Sequence, residues 1–350
     1  IGLIVILCYT ITGGYTAVCS TDFVQGTLIF IAFIVSSVVA IISLGGIPNA
    51  IESVKNFQAD AIVGKFGDTM KNAFLANKNY KPMSIISALA WGLGYFGMPH
   101  IIVRFMGIRS NSEVKKARRI GISWMVISYI GTFIIGTLGT AYLFKHGTIL
   151  GTSADTVIQG ITNYGDAETV FSATMQNMYP AFFAGIFLCA ILAASMSTAD
   201  SQLLAASSAV SQDIYKGLIK KNAAEKDVLT VSRLVVFLIA LVALFLSLDP
   251  NSSIFGLVSF AWSGFGGTFG PLVLLALYWK RTTAPGAIAG LVCGGIVDVA
   301  WHYLKGGIFD LYEIVPAFIV CLLVTIVVSL LTKQNDEVAA KFDEYKKMED

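Results

Sequence analysis

The chain has 350 residues, of which 55% are hydrophobic and only 13% charged. A soluble domain carries about 25% charged residues, so the composition excludes an ordinary water-soluble protein; the net charge of +2 is too small to imply a nucleic-acid partner. Apolar runs of about 20 residues, the length that crosses a bilayer, recur without β-barrel alternation. They predict an all-α membrane protein, a multi-span helical bundle.

In chain order the runs predict nine spans: 1–18, 22–45, 83–103, 119–144, 179–210, 229–248, 253–279, 284–304 and 311–332. The bundle then occupies 1–332, and 333–350 is a charged tail. The chain begins inside an apolar run without a starting methionine, which predicts that further N-terminal sequence belongs to the natural protein. In the polar stretch 46–82, Pro48-Asn49 and Glu52 signal a helix start. Ile51, Val54 and Phe57 at helical spacing predict a short amphipathic helix on the membrane surface. Most of the 24 basic residues fall in alternate loops, among them Arg104 to Arg119, Lys216 to Arg233 and the tail from Lys333. By the positive-inside rule those loops and the C-terminus are cytoplasmic. The cysteines Cys8, Cys19, Cys189, Cys293 and Cys321 lack metal-ligand spacing and read as small packing residues. The histidines are too scattered for a metal site.

Three features are costly in a span without a reason. In 83–103 the run from Trp91 through Gly92, Gly94, Gly97 and Pro99 weakens a helix repeatedly. Backbone freed in this way is tolerated only against protein or a water-filled cavity. Trp91, Tyr95 and Pro99, spaced by four, predict one stripe on that helix, suited to a small-solute pocket. The same pattern also fits ordinary aromatic packing. In 179–210, Ala194, Ser197, Thr198 and Ser201 fall on one face at i, i+3, i+4 and i+7. Hydroxyls and a carbonyl there are hard oxygen ligands for an alkali cation, although such hydroxyls often bond their own helix. Asp200 within the run favours the cation, because a carboxylate in a span requires a cation, a proton or a partner. The third is Asp22, at the predicted start of the second span, where a helix N-cap is the simpler role. Asp298 and Glu313 are acidic within or beside spans and receive no role. The stretch Ser263-Gly264-Phe265-Gly266-Gly267 predicts close helix packing or a hinge.

These motifs resemble the solute:sodium symporter family. The stretches are Gly13-Gly14-Tyr15-Thr16 with Thr21-Asp22-Phe23; Trp91-Gly92-Leu93-Gly94-Tyr95-Phe96-Gly97 with Pro99-His100; Ala190 to Thr198; Gln202 to Lys216; and Leu257 to Pro271. The Trp91–Gly97 stretch is the most specific and resembles the family's proline branch. The resemblance implies inverted five-helix repeats around a central site, with the family's first core helix outside this chain. It implies sodium-coupled uptake of L-proline by alternating access, in the cell membrane, with no enzymatic chemistry. It assigns Ala194, Ser197 and Thr198 to half of a sodium site, Asp22 to cation binding, and Trp91, Tyr95 and Pro99 to proline. Asp200 and Ser201 join the cation set from their place on the same face. Two departures bear on the site. Met98 replaces a glutamine, and Asp200 stands where a small hydroxyl residue is expected, which adds a carboxylate beside the cation. Another small amino acid or carboxylate as substrate, or a transporter-like sensor, are the alternatives.

Overall fold

Long apolar runs must satisfy their backbone groups internally, and within one segment only a helix does so. The computed structural model describes residues 2–62, 82–146, 170–248 and 254–349, and among them every regular element is helical. The elements are α1 (Gly2–Ser43), α2 (Ile47–Ile62), α3 (Pro82–Gly94), α4 (Pro99–Met106), α5 (Asn111–His146), α6 (Val170–Met178), α7 (Ala181–Ser208), α8 (Glu225–Leu246), α9 (Ile254–Tyr278), α10 (Ala284–Tyr303), α11 (Ile314–Leu331) and α12 (Asp336–Glu349). A π-helical stretch, Ala209–Ile219, extends α7. Among the described residues seven helices are long and apolar enough to cross a membrane, and the bent pair α3–α4 makes up to eight.

The nine-span reading differs from this at the N-terminus. The predicted spans 1–18 and 22–45 are one helical run, α1, broken not at Cys19–Asp22 but at Gly14 (φ 57°, ψ −150°). That conformation is open to glycine and strained for other residues. The polar stretch after it stays helical because its hydroxyls bond back into the helix: Ser20 Oγ donates to the Thr16 carbonyl at 2.9 Å and Thr21 Oγ1 to the Ala17 carbonyl at 3.0 Å. Asp22 therefore sits inside a helix and is not an N-cap. The expected helix in 46–82 is α2; residues 63–81 lie outside the described part.

The chain groups into two units. The first, residues 1–79 and 108–241, packs α1 against α7 and α5, with α6 between α5 and α7. Its core is mostly small and aliphatic: Ile29, Ala32, Ala40, Ile135, Met175, Phe187, Ala190 and Ala193. Large side chains such as Phe133 and Phe182 face outward. Small residues inside and large ones outside suit a lipid environment, where helix contact depends on close packing and not on hydrophobic exclusion.

The second unit, residues 80–107 and 242–350, is built on α9, α10 and α11, with α3 against α9 and α11. Gly286, Gly290 and Gly294 of α10 lie so close to Ser329, Thr325 and Cys321 of α11 that a β-carbon at any of them would overlap its neighbour. Gly94 likewise leaves room for the Trp262 indole, and Gly97 for the backbone of α9 at Phe265. In α9 a β-carbon at Gly266 would overlap Gly94 and one at Gly267 would overlap Ala317, which agrees with the packing side of the packing-or-hinge expectation. The charged tail forms α12, whose Asp343 pairs with Lys280 at 2.5 Å. No disulfide joins the five cysteines.

Candidate functional site

In the first unit the helix α7 runs unbroken through Ala194–Ser201, so the predicted spacing holds. Ser197 Oγ and Thr198 Oγ1 both donate to the Ala194 carbonyl, at 3.1 and 3.0 Å. Their lone pairs remain as hard oxygen donors.

Asp200 is fully buried. Its Oδ2 accepts a 2.6 Å hydrogen bond from the Tyr9 hydroxyl. Ser201 Oγ lies 3.3 Å from Asp200 Oδ1, 3.4 Å from Asp22 Oδ2 and 2.8 Å from the Ser197 carbonyl oxygen. One hydroxyl carries one hydrogen. It can satisfy one of those three acceptors, so the cluster holds more lone pairs than protons, with two carboxylates among them. An oxygen-rich cluster of this kind is completed by a small hard cation or by a shared proton. Sequence reasoning grouped Asp22, Ser197, Asp200 and Ser201 as one set, and the structure brings all four to one hydroxyl, that of Ser201. Thr198 lies on the exposed side of α7, away from the carboxylates' buried position.

The bend in α1 makes this cluster possible. In a straight helix Tyr9 and Asp22 would stand roughly 20 Å apart along the axis, at about 1.5 Å per residue. Asp200 and Ser201 are consecutive residues, yet one meets Tyr9 and the other meets Asp22. The break at Gly14 resolves the mismatch. It also frees carbonyls of the preceding turn, and Arg233 of α8 donates through Nε to one of them, the Ile11 oxygen, at 3.2 Å. Tyr9 and Arg233 escaped sequence reasoning. Tyr9 lies 191 residues from Asp200, and no local pattern links them.

In the second unit α3 ends at Gly94, residues 95–97 form a turn, and Pro99 begins α4 at a 40° bend. Proline fits the first helical position, where its missing N–H is not needed. The predicted stripe Trp91, Tyr95, Pro99 therefore does not exist as a helical stripe, because the helix stops before Tyr95. A different residue joins the rings. Trp262 of α9 packs 5.8 Å from Trp91 and edge-on 4.9 Å from Tyr95, and its Nε1 donates to the Trp91 carbonyl at 2.9 Å. Tyr95 keeps 40% of its surface exposed, and Pro99 is exposed. Met98 is buried and offers no hydrogen-bonding edge. Sequence reasoning missed Trp262, whose signal was a lone indole within a glycine-rich span.

A model of the sodium:solute symporter family matches residues 1–294. The chain is 40% identical over 343 residues to the high-affinity proline transporter PutP of Bacillus subtilis, covering 97% of this chain and 67% of that protein. It is 40% identical to the osmoregulated proline transporter OpuE of the same organism, covering 94% and 62%. With the sodium/proline symporter of Escherichia coli it shares 39%, over 93% and 60%. The chain thus spans roughly two thirds of the length of these relatives. In fold it matches the solved substrate-bound outward-open structure of a Na+-coupled sialic acid symporter, with a TM-score of 0.69 at 21% identity, covering 94% of this chain and 65% of the other. A family match over most of the chain, relatives at this identity and a shared fold agree: the chain belongs to the sodium:solute symporter family.

Proposed function

We propose that the protein is a sodium-driven secondary transporter of L-proline, embedded in the cell membrane as a multi-pass bundle, and not an enzyme. The observation that carries this reading is the identity shared along nearly the whole chain with three bacterial relatives, each named for proline transport. Sodium enters the oxygen cluster formed by Asp22, Asp200, Ser201 and the Ser197 carbonyl, with Ala194, Ser197 and Thr198 supplying the adjoining turn of α7. Hard oxygens of mixed charge suit an alkali ion. Proline binds at the break after Gly94, where Tyr95 and Pro99 are open and Trp91 backs the turn through Trp262. Freed backbone at a broken span is where transporters of this kind bind solute. Sodium drives uptake through its unequal affinity for the outward- and inward-open states. The basic loops support a cytoplasmic C-terminus.

Counterflow of labelled proline into proteoliposomes tests this reading. Accumulation that depends on sodium is expected. Flux without sodium dependence would remove the coupling, and absence of proline flux would favour another amino acid, a carboxylate or a sensor.

A further inference from the structure

The second unit buries a carboxylate that the proposed transport does not use. Asp298 of α10 is 2% exposed, and its Oδ1 has no hydrogen-bond partner among the described residues. The group lies against α9: Oδ2 is 3.5 Å from where a β-carbon on Gly264 would stand, and the Ser263 hydroxyl adjoins it. Ser263 is fully buried, and its Oγ donates to the Phe260 carbonyl of its own helix at 2.8 Å. That commits its one hydrogen, so toward Asp298 it presents lone pairs.

Little positive charge stands nearby. Helices α9 and α11 contain no charged residue. His302 follows Asp298 by one turn on the same face of α10, but its Nδ1 is engaged by Glu313 Oε1 at 3.1 Å. Glu313 is a second carboxylate, 3.5 Å from Ser263 Oγ. Burial, and after it the charge of Glu313, raises the Tyr312 pKa, so that phenol stays neutral. Lys305 and Asp310 are exposed on the connector between α10 and α11. Among the described residues no three acidic, histidine or cysteine side chains are placed to hold a metal ion. A carboxylate in a span requires a cation, a proton or a basic partner. Two carboxylates here share one imidazole, and a proton needs only one of them.

We propose that Asp298 is a proton-binding site, held as the neutral acid at neutral pH with its O–H donating into the Ser263–Glu313 pair. The proton comes from water. Glu313 and His302 line a cavity of about 480 Å³ that brings solvent to the cluster, and Asp298 lies beyond that lining. Loss of the proton places a second negative charge beside Glu313, where α9, α10 and α11 pack closely. The packing of this unit is therefore tightest with the proton bound and loosens as rising pH removes it.

Infrared spectroscopy of the purified intact protein tests the site, because a carboxylic acid has a C=O stretch that a carboxylate lacks. The background is Asp22→Asn with Asp200→Asn, which leaves Asp298 the one buried aspartate among the described residues. At about pH 7 ordinary carboxyl groups, with pKa about 4, are ionised. An acid band is expected there, and it should move to lower frequency when the protein is grown with aspartate carrying carbon-13 in its side-chain carboxyl. Adding Asp298→Asn should abolish the band. Absence of an aspartate acid band in the background would overturn the proposal and leave Asp298 ionised around a cation. A band that survives Asp298→Asn would overturn it too. The isotope shift is read with Asp298 in place, so the test does not depend on the folding of Asp298→Asn, and neither result depends on proline transport.

Discussion

The Tyr9 hydroxyl donates a 2.6 Å hydrogen bond to Asp200 Oδ2 across 191 residues of chain. It is a neutral partner: it satisfies one oxygen of a fully buried carboxylate and leaves the charge uncompensated. Tyr9→Phe keeps the ring and removes the donor. Hydrogen bonds to charged groups contribute about 1.5–3 kcal/mol. We expect Tyr9→Phe to lower thermal stability in detergent and to raise the sodium concentration for half-maximal uptake. Thermal unfolding and a sodium titration of uptake check the two effects, and a variant unchanged in both would make the bond incidental.

Asp22 and Asp200 both approach Ser201 Oγ, so they should behave as one system. Asp22→Asn and Asp200→Asn are each expected to raise the sodium requirement by about tenfold or more, equivalent to about 1.4 kcal/mol. Groups that share a partner are not additive. The double variant should therefore cost less than the sum of the singles in free energy. Unaltered sodium dependence in Asp200→Asn would leave Asp200 a packing role.

Gly14 holds a backbone conformation that costs about 1–3 kcal/mol in a residue bearing a β-carbon. No atom lies within 4 Å of such a carbon, so Gly14→Ala tests backbone and not crowding. Straightening α1 would part Tyr9 from Asp200. The pair Gly14→Ala and Tyr9→Phe should then lower stability no more than Gly14→Ala alone, as measured by thermal unfolding.

At the break after Gly94, Tyr95→Ala is the sharper test of the proposed solute site, because Tyr95 packs edge-on against Trp262 and is substantially open. It should weaken the apparent affinity for proline at least several-fold with membrane insertion intact. Trp91→Ala should do the same but also lower stability, since Trp91 packs against three rings. Uptake at several proline concentrations separates affinity from protein amount.

Orientation has its own test. A cysteine at Ser112, exposed at the start of α5, should be labelled by a membrane-impermeant reagent only from the cytoplasmic side. One at Thr152, outside the described residues, should be labelled only from the opposite side. The reverse pattern would invert the topology.

Helices whose ends coincide with the ends of an apolar run were legible in the sequence: 253–279 became Ile254–Tyr278 and 284–304 became Ala284–Tyr303. Breaks were less legible, because hydropathy does not register dihedral angles. Cys19-Ser20-Thr21-Asp22 looked like a span end, but hydroxyls that bond the preceding turn can stay in a helix, and the break fell at Gly14. At Trp91–Pro99 the weakness of the helix was visible, but its stopping point was not. The stripe expected from spacing was replaced by rings gathered on Trp262. The glycines at 286, 290 and 294 carried a packing signal at regular spacing that went unread. The oxygen cluster around Ser201 was half legible: the face of α7 follows from helical period, whereas Tyr9 and the bend that delivers it depend on contacts distant in sequence.

The cluster around Ser201 also constrains how the protein is made. Asp22 and Ser201 are 179 residues apart, and at about 5–20 residues per second roughly ten to forty seconds of synthesis separate them. Asp22 therefore leaves the ribosome well before Ser201 exists to meet it. During that interval its carboxylate must remain hydrated, carry a proton or find a temporary partner, and the contact of α1 with Ser201 waits for α7. A variant that lengthens the wait, for instance by slowing translation between α5 and α7, would burden biogenesis without altering a single contact of the finished molecule.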